Sequence, residues 1–306
     1  MVKKILVNSI LIIVVVLAMD FAIGGLLRYF YFKEMSGPHF EITYAMETTE
    51  ADVLVFGSSR AIDHYVPEIF ETSLKMSFYS AGRDNTGILY QAAVLKSVLK
   101  RYTPKIIILD FPGFETGERE YDRLSVLLPY YRTHEEIRRI IELKSPLEKI
   151  KLLSNIYPFN SQILLTAIGN LEINKTKKAD NHSYIADYEE WKIKIDSIPN
   201  SIACTIDSTI IACFREFIAD AKKSGAKVFV VYSPIFQKYD KNQEIDICNR
   251  ICSSEHIPFW DFSKDTLFLQ NKQLFKDVLH LNHKGAMIFS NSVVEKINPT
   301  LNKNVP

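Results

Sequence analysis

The stretch Asp52-Val-Leu-Val-Phe-Gly-Ser-Ser-Arg60 decides the fold class of this chain. Its apolar run, Val53 to Phe56, is continuous and rich in β-branched residues, which is typical of a parallel strand buried on both faces. Gly57 ends the run, and two serines follow it. Ligands of open parallel sheets bind just beyond the carboxyl ends of the strands. The stretch therefore predicts a buried strand with two serines at the edge of the sheet where ligands bind.

Strand and helix patterns alternate along most of the remaining chain. Apolar runs predict four further strands, at Ser77–Ser80, Lys105–Asp110, Lys227–Tyr232 and Ile257–Asp261, and predicted helices begin near Pro67, Thr86, Thr205, Asn242 and Asn282. Alternation of this kind is typical of parallel sheets with helical crossovers. We therefore expect an α/β fold with a doubly wound, flavodoxin-like parallel sheet of about five strands.

Residues 111–200 interrupt this alternation. The region is rich in Tyr, Lys and Glu, and two capping boxes, at Thr133 and Ser145, predict helices inside it. We interpret it as a helical insertion. Whether the insertion walls a substrate groove or only completes the core stays open at this point.

The N-terminus has the pattern of a membrane span. Two lysines, at positions 3 and 4, precede the mostly apolar segment Ile5–Leu27, and a span needs about 20 residues. Basic residues before the span favour a cytoplasmic N-terminus, with everything after Arg28 outside. A cleaved signal peptide is the alternative. The retained anchor is favoured because the apolar segment is long and the small-residue site near Ala22 is poor.

Composition and charge limit the remaining possibilities. The chain has 306 residues, 47% hydrophobic residues and a formal net charge of +1, so no strong field favours nucleic acid as a partner. The spacing of Cys248 and Cys252 is helical, and no second Cys/His pair lies near it to complete a zinc site. The sequence predicts no metal or other cofactor. We divide the chain into an anchor (1–28), a linker (29–50) and an α/β domain (51–306).

A possible catalytic set combines the two ends of this domain. A serine hydroxyl is a weak nucleophile unless a histidine base activates it, and a carboxylate orients that histidine. Asp277-Val-Leu-His280 precedes the last predicted helix. In a helical turn, this i,i+3 spacing would place the carboxylate and the imidazole on one face. Each motif alone is weak evidence, but their joint placement on the sheet predicts one site.

Together these blocks resemble the SGNH, or GDSL-like, hydrolase superfamily. The matching residues are Gly57-Ser58-Ser59, Gly82 after the second strand, and Asp277-Val278-Leu279-His280 followed by Asn282 and Gly285. The likeness covers about residues 51–110 and 226–296, without the anchor or the insertion. It implies that Ser59 is the nucleophile, His280 the base and Asp277 its orienting partner. The backbone N–H groups of Ser59 and Gly82 would then donate to the oxyanion.

The chain departs from the family pattern at its third block. The family has Gly-x-Asn-Asp after the third strand, with Asn as an oxyanion donor, whereas this chain has Leu109-Asp-Phe-Pro112. Asn85 is a candidate substitute, although Asn at that position could equally cap the next helix. Ser58 replaces the family's Asp and is interpreted as structural. Arg60 could contact an acidic or sugar substrate, or it could be a salt-bridged residue at a helix start.

The resemblance implies a membrane-anchored, extracytoplasmic serine esterase or O-acyltransferase. Members with an anchor, a Gly-Ser-Ser-Arg block and a helical insertion resemble surface-polysaccharide acyl-modifying proteins, including alginate O-acetyltransferase-like proteins. The expected substrate is an acyl ester, in the first place acetyl, of an extracytoplasmic glycan. A transferase would need a separate membrane protein as acyl donor. The alternative is a non-catalytic relative that binds glycans or scaffolds an envelope complex, and the missing third-block Asn keeps it open.

Overall fold

The structure is a computed structural model that describes residues 1–114, 118–171, 183–191, 205–236 and 242–302. The chain divides into two compact units. The helical unit consists of Met1–Thr43 and Tyr121–Ala179, and the sheet unit of Tyr44–Glu120 and Asp180–Pro306.

Thirteen α-helices and five strands occur in the part of the chain that the structure describes. The helices are α1 Val2–Phe32, α2 Pro38–Glu47, α3 Ser59–Asp63, α4 Pro67–Leu74, α5 Ile88–Arg101, α6 Glu118–Asp122, α7 Arg138–Glu142, α8 Glu148–Lys151, α9 Ile163–Asn170, α10 Ser208–Lys223, α11 Gln243–Ser254, α12 Thr266–Leu269 and α13 His283–Asn302. The strands are β1 Val53–Phe56, β2 Phe78–Ser80, β3 Ile106–Asp110, β4 Lys227–Tyr232 and β5 Phe259–Asp261.

The five strands form one parallel sheet with the order β2-β1-β3-β4-β5. β1 lies between β2 and β3, and Val55 pairs with Ser80 on one side and Ile108 on the other. All four residues of β1 are buried. The prediction of a mixed α/β fold with a parallel sheet of about five strands is therefore confirmed.

Helices cover both faces of the sheet. Side chains of alternate strand residues, such as Val53 and Val55, share one apolar core with α4 and α13. On the opposite side, the ring of Phe56 lies 5.4 Å from that of Phe217 in α10, and α10 packs against α5. Successive strand residues point to opposite faces, so an uninterrupted apolar strand needs a cover on each side.

The helical unit begins with α1, the predicted apolar N-terminal helix. Every residue from Val2 to Met19 is exposed, as expected for a segment that finds no protein partner. This helix is the one among the described residues that is long and apolar enough to cross a membrane.

The segment 29–50, predicted as a linker, contains the last turn of α1 and all of α2. The side chains of Tyr31, His39 and Ile42 are buried, and His39 bonds Glu34 and Gln162. Buried residues three or four positions apart, among them His39, Ile42 and Met46, thus order this segment.

The predicted insertion is mostly helical between residues 118 and 170, with a 3₁₀ turn and α8 following the two capping boxes. Residues 183–191 form no helix or strand, and residues 115–117, 172–182 and 192–200 lie outside the described part.

Candidate active site

Ser59 is the first residue of α3 and lies directly beyond the carboxyl end of β1. Gly57 makes this turn with φ of +151°, and a Cβ there would lie 2.8 Å from the carbonyl oxygen of Asp110. Glycine alone adopts such a backbone without strain. The close approach of the Asp110 backbone therefore explains why a glycine follows β1. The sharp turn places Ser59, which is half-buried, at the edge of the sheet.

Gln91, a residue of α5, supports the same turn through a hydrogen bond. It is fully buried in α5, and its amide donates to the carbonyl oxygen of Gly57 at 2.6 Å and to Oγ1 of Thr86 at 3.1 Å. Two loops beside Ser59 are thereby tied to one side chain. Sequence analysis missed Gln91, because its role depends on a contact with Gly57 across 34 positions.

His280 lies within hydrogen-bonding distance of Ser59. The Nε2 atom of His280 is 2.7 Å from Oγ of Ser59, and its Nδ1 atom is 2.9 Å from both carboxylate oxygens of Asp277. An ionised carboxylate can only accept hydrogen bonds, so Nδ1 carries the proton and Nε2 accepts from the serine hydroxyl. The structure thus brings together the three residues that the sequence assigned to one set.

The loop that carries His280 is a bend and not the helical turn that we considered. Oδ1 of Asp277 accepts the N–H groups of Leu279 at 2.8 Å and His280 at 2.9 Å. An antiparallel bridge between Phe275 and Leu281 closes the loop. The i,i+3 spacing still brings the side chains together, because the carboxylate folds back over its own backbone.

Hydrogen bonding keeps Asp277 ionised. Partial burial acts to raise the pKa of its carboxyl, but the hydrogen bonds from the imidazole of His280 and from two backbone N–H groups outweigh it, so the pKa is lowered. The carboxylate is then charged over the whole neutral range, where it can stabilise an imidazolium at His280.

A second histidine, His64, supports the loop from the core. It is fully buried, and its Nε2 accepts the N–H of Leu281 at 2.9 Å. Burial, together with the charges of Arg60, of His280 when its ring is protonated, and of Lys276, lowers the pKa of His64 well below 6.5. His64 is therefore neutral, with its proton on Nδ1, and adds no positive charge beside His280. Sequence analysis did not single out His64, because its role depends on a contact across 217 positions.

An ion-pair group flanks the loop on its other side. Nζ of Lys276 lies 2.9 Å from Oδ2 of Asp63 and 3.5 Å from Oδ2 of Asp187. Burial raises the pKa of Asp63, even though the hydrogen bond and charge of Lys276 act against it. The lysine adjoins Asp277 in sequence, so these pairs anchor the loop at its start.

Gly82 adjoins the loop of Ser59. A Cβ at Gly82 would lie 2.6 Å from Cβ of Ala61 and 3.1 Å from the carbonyl oxygen of Ser58. The backbone after β2 therefore passes against α3 at a distance that only glycine permits. The N–H of Gly82 lies 3.3 Å from Oγ of Ser80, and its role as an oxyanion donor stays a prediction.

Asn85 occupies an exposed turn two residues before Gly87, the N-cap of α5. It does not cap that helix, so the capping role considered for it does not apply. Its φ is +57°, a left-handed conformation that Asn tolerates better than most residues. Its role as an oxyanion donor also stays a prediction.

The departures from the family pattern at Arg60 and Asp110 form one feature. The guanidinium of Arg60 is buried, donates to the carbonyl oxygen of Phe111 at 2.6 Å, and lies 3.4 Å from Oδ1 of Asp110. It also covers the ring of Tyr232 at 4.6 Å, and Tyr65 donates to Oδ2 of Asp110 at 2.9 Å. This is the salt-bridged arrangement, the second of the two roles considered for Arg60.

The described residues contain no group of three or more His, Cys, Asp or Glu side chains that could hold a metal ion. Cys213, Cys248 and Cys252 are buried, as is common for cysteines that serve as small core residues, and Cys204 lies outside the described part.

No family model matches this chain, and no curated protein matches it. The chemistry assigned to it therefore rests on the residues and geometry described above.

Proposed function

We propose that this protein is a serine ester hydrolase or O-acyltransferase that forms an acyl-Ser59 intermediate. One observation carries the proposal. Oγ of Ser59 lies 2.7 Å from Nε2 of His280, and Nδ1 of the same ring is hydrogen-bonded to the carboxylate of Asp277. That geometry is the recurrent means by which a serine is activated, and it is found on unrelated folds.

The reaction follows from the hydrogen bonds. As Oγ of Ser59 attacks the ester carbonyl carbon, its proton passes to Nε2 of His280, and Asp277 stabilises the imidazolium. The imidazolium then protonates the departing alcohol, which leaves an acyl-serine. Water or a sugar hydroxyl attacks that ester with His280 as base, and the proton returns to Ser59. Hydrolysis and transfer share the intermediate and differ only in the acceptor.

The developing oxyanion needs donors that are already in place. The proposed set is the backbone N–H groups of Ser59 and Gly82 and the side-chain amide of Asn85. Asp110 is excluded from this set, because a carboxylate would repel the oxyanion and because its partners are Arg60 and Tyr65.

We also propose that the sheet unit is a doubly wound, flavodoxin-like fold of the SGNH type. The strand order β2-β1-β3-β4-β5 and the helices on both faces support this. In such folds the site lies at the carboxyl ends of the strands, where the order reverses, and Ser59 follows β1 there.

The proposed location is extracytoplasmic, with α1 as a retained membrane anchor. The support is the length and apolar character of α1 and the two lysines before it. The proposed substrate is an acyl ester of an extracytoplasmic glycan, with acetyl as the first candidate. A transferase would receive acyl groups from a separate membrane protein.

A fluorophosphonate probe tests the central proposal. It should label the purified full-length protein at Ser59, and Ser59→Ala should remove the label. Ser58→Ala is the matched control and should still be labelled. Absence of label on the wild-type protein would contradict an activated serine and favour the non-catalytic alternative. With the label established, release of acetate into water or onto an added sugar would distinguish hydrolase from transferase.

A further inference from the structure

Helix α8 of the helical unit buries a charged side chain, whereas apolar side chains in α8 and directly beside it are exposed. Glu148 is fully buried and accepts hydrogen bonds from the hydroxyl groups of Ser145 at 2.8 Å and Tyr157 at 2.6 Å. Leu147, Ile150 and Leu153 are instead 58%, 64% and 76% exposed. Their spacing of three residues places these apolar side chains along one face.

The region of helix α9 shows the same arrangement, with polar side chains buried and apolar side chains exposed. Gln162 and Thr166 are buried, and Gln162 bonds Nε2 of His39 at 2.8 Å. The three residues between them, Ile163, Leu164 and Leu165, are 45%, 72% and 47% exposed. The buried carboxylate is compensated by its hydrogen bonds and by the ion pair with Lys151, but in water the exposed apolar side chains would forgo the free energy of burial.

The contacts of α1 set the depth of this region in a membrane. The residues from Ile5 to Met19, which follow Lys3 and Lys4, are exposed throughout, and at 1.5 Å per residue they span about 22 Å of the roughly 30 Å of a bilayer core. Asp20 then makes the first contacts. Its carboxylate accepts hydrogen bonds from the hydroxyl of Ser154 and from the N–H groups of Asn155 and Ile156.

These bonds fix Ser154 to Ile156 at the height of Asp20, beside the C-terminal part of the apolar segment Ile5–Leu27. A Cβ at Gly24 would collide with Asn155, so the two segments touch over a full helical turn. Leu153 therefore lies beside the C-terminal part of that apolar segment. The α9 segment also packs on α1, and the amide of Asn170 donates to the carbonyl oxygen of Phe30.

We propose that the exposed apolar faces of α8 and α9 bind the acyl chains of the leaflet at the C-terminal end of α1. The helical unit would then be embedded at the membrane interface and not merely tethered to it. Lipid is the occupant that the geometry favours, because both helices pack with or beside a helix that reaches the same leaflet. The inference rests on the proposed anchor and not on the proposed chemistry.

Fluorescence quenching by lipids tests this surface. Single cysteines replace Ile150, Leu153 or Leu164 in a Cys204→Ser background of the full-length protein, carry an environment-sensitive dye, and are reconstituted in phosphatidylcholine–phosphatidylglycerol vesicles. Nitroxides near the top of the acyl chain should quench all three labels, and their emission should shift to the blue. Glu135→Cys is the matched control, because that side chain is 75% exposed, like Leu153, and its label should stay water-like.

A fourth label, at Val14→Cys, separates the surface from the anchor. Nitroxides near the end of the acyl chain should quench it most strongly. If Val14 is quenched while the other three labels stay water-like, the anchor stands and the proposed surface is wrong. If Val14 is not quenched, the anchor and the surface both fail. A blue shift without nitroxide quenching would mean a protein contact, such as a second copy, and would also overturn the proposal.

Discussion

The sheet unit and the helical unit both bury apolar residues but differ in the apolar side chains that they expose. In the sheet unit, all four residues of β1 and all five of β3 are buried and, with the exception of Asp110, apolar. The helical unit buries apolar residues such as Leu127, but it also buries Glu148 and Gln162 while Leu153, just after α8, and Leu164 in α9 are exposed. One chain thus contains two patterns of burial, one that suits water and one that suits lipid.

The hydrogen-bonded polar groups also have different tasks in the two units. Around Ser59, the buried side chains of Gln91 and His64 tie loops to a core that apolar burial already stabilises. In the helical unit, Asp20 and Glu148 connect helices whose apolar faces point outward. Lipid offers apolar helices no hydrophobic reason to associate, so hydrogen bonds and close packing carry that task.

Loss of the catalytic set should abolish the activity of the sheet unit and leave the helical unit unaffected. Ser59→Ala and His280→Ala should each lower turnover of a small acetyl ester by on the order of 10⁴ or more, and the double variant should be scarcely worse, because triad members act as a unit. Lipid quenching of a label at Leu153 should not change. Steady-state rates on the folded variants check this, and wild-type activity in Ser59→Ala would disprove the assignment of the nucleophile.

Asn85 offers the next largest effect. Asn85→Gly keeps the positive φ of +57°, since glycine adopts it readily, and removes only the amide. If that amide binds the oxyanion, kcat should fall by about 10² with KM nearly unchanged. Ester kinetics at saturating substrate provide the measurement. A variant with normal kcat would remove Asn85 from the oxyanion set and leave the two backbone donors.

The sequence predicted the sheet unit better than the helical unit for a physical reason. Buried strands such as β1 and β4 carry their signal in adjacent residues, and their bounds were predicted without error. The segment 29–50 owes its order to a few distant contacts, among them His39 with Gln162. The exposed leucines on either side of α8, Leu147 and Leu153, carried no signal either, because apolar residues are normally interpreted as core.

The candidate site shows the same division. Ser59, His280 and Asp277 belong to short motifs that could be recognised from sequence. His64 and Gln91 act through contacts with backbone groups far along the chain, and no local pattern marks such residues.

Asp20→Ala should loosen the helical unit and leave the sheet unit unaffected. It removes the acceptor of four hydrogen-bond donors in Ser154 to Ile156, and a bond to a charged group contributes about 1.5–3 kcal/mol. Hydrogen exchange of these amides in vesicles should accelerate by at least about tenfold, while ester turnover by the sheet unit stays unchanged. Asp20→Asn, which keeps one acceptor oxygen, should lie between. Unchanged exchange in Asp20→Ala would show that these bonds do not hold the unit together.

The smallest expected effect concerns His64 and the dependence of the sheet unit's stability on pH. In the folded state burial holds the pKa of His64 well below 6.5, whereas in the unfolded chain it takes up a proton near pH 6.5. Below pH 6.5 the unfolded state therefore binds more protons, and stability must fall as the pH falls towards the folded-state pKa. The loss is about 1.4 kcal/mol for each pH unit well below 6.5.

His64→Gln tests this, because Gln can accept the N–H of Leu281 but does not titrate. Between pH 7.5 and 5.5, the free energy of unfolding should fall less in the variant than in the wild type, since all other titrating groups are shared. His64→Ala removes the acceptor as well and leaves the N–H of Leu281 buried without a partner, so kcat should fall through a displaced His280. Recovery of kcat in His64→Gln would identify a positioning residue. Parallel stability curves for the wild type and His64→Gln would mean that His64 has the same pKa in the folded and unfolded states, contrary to the lowering that its burial predicts.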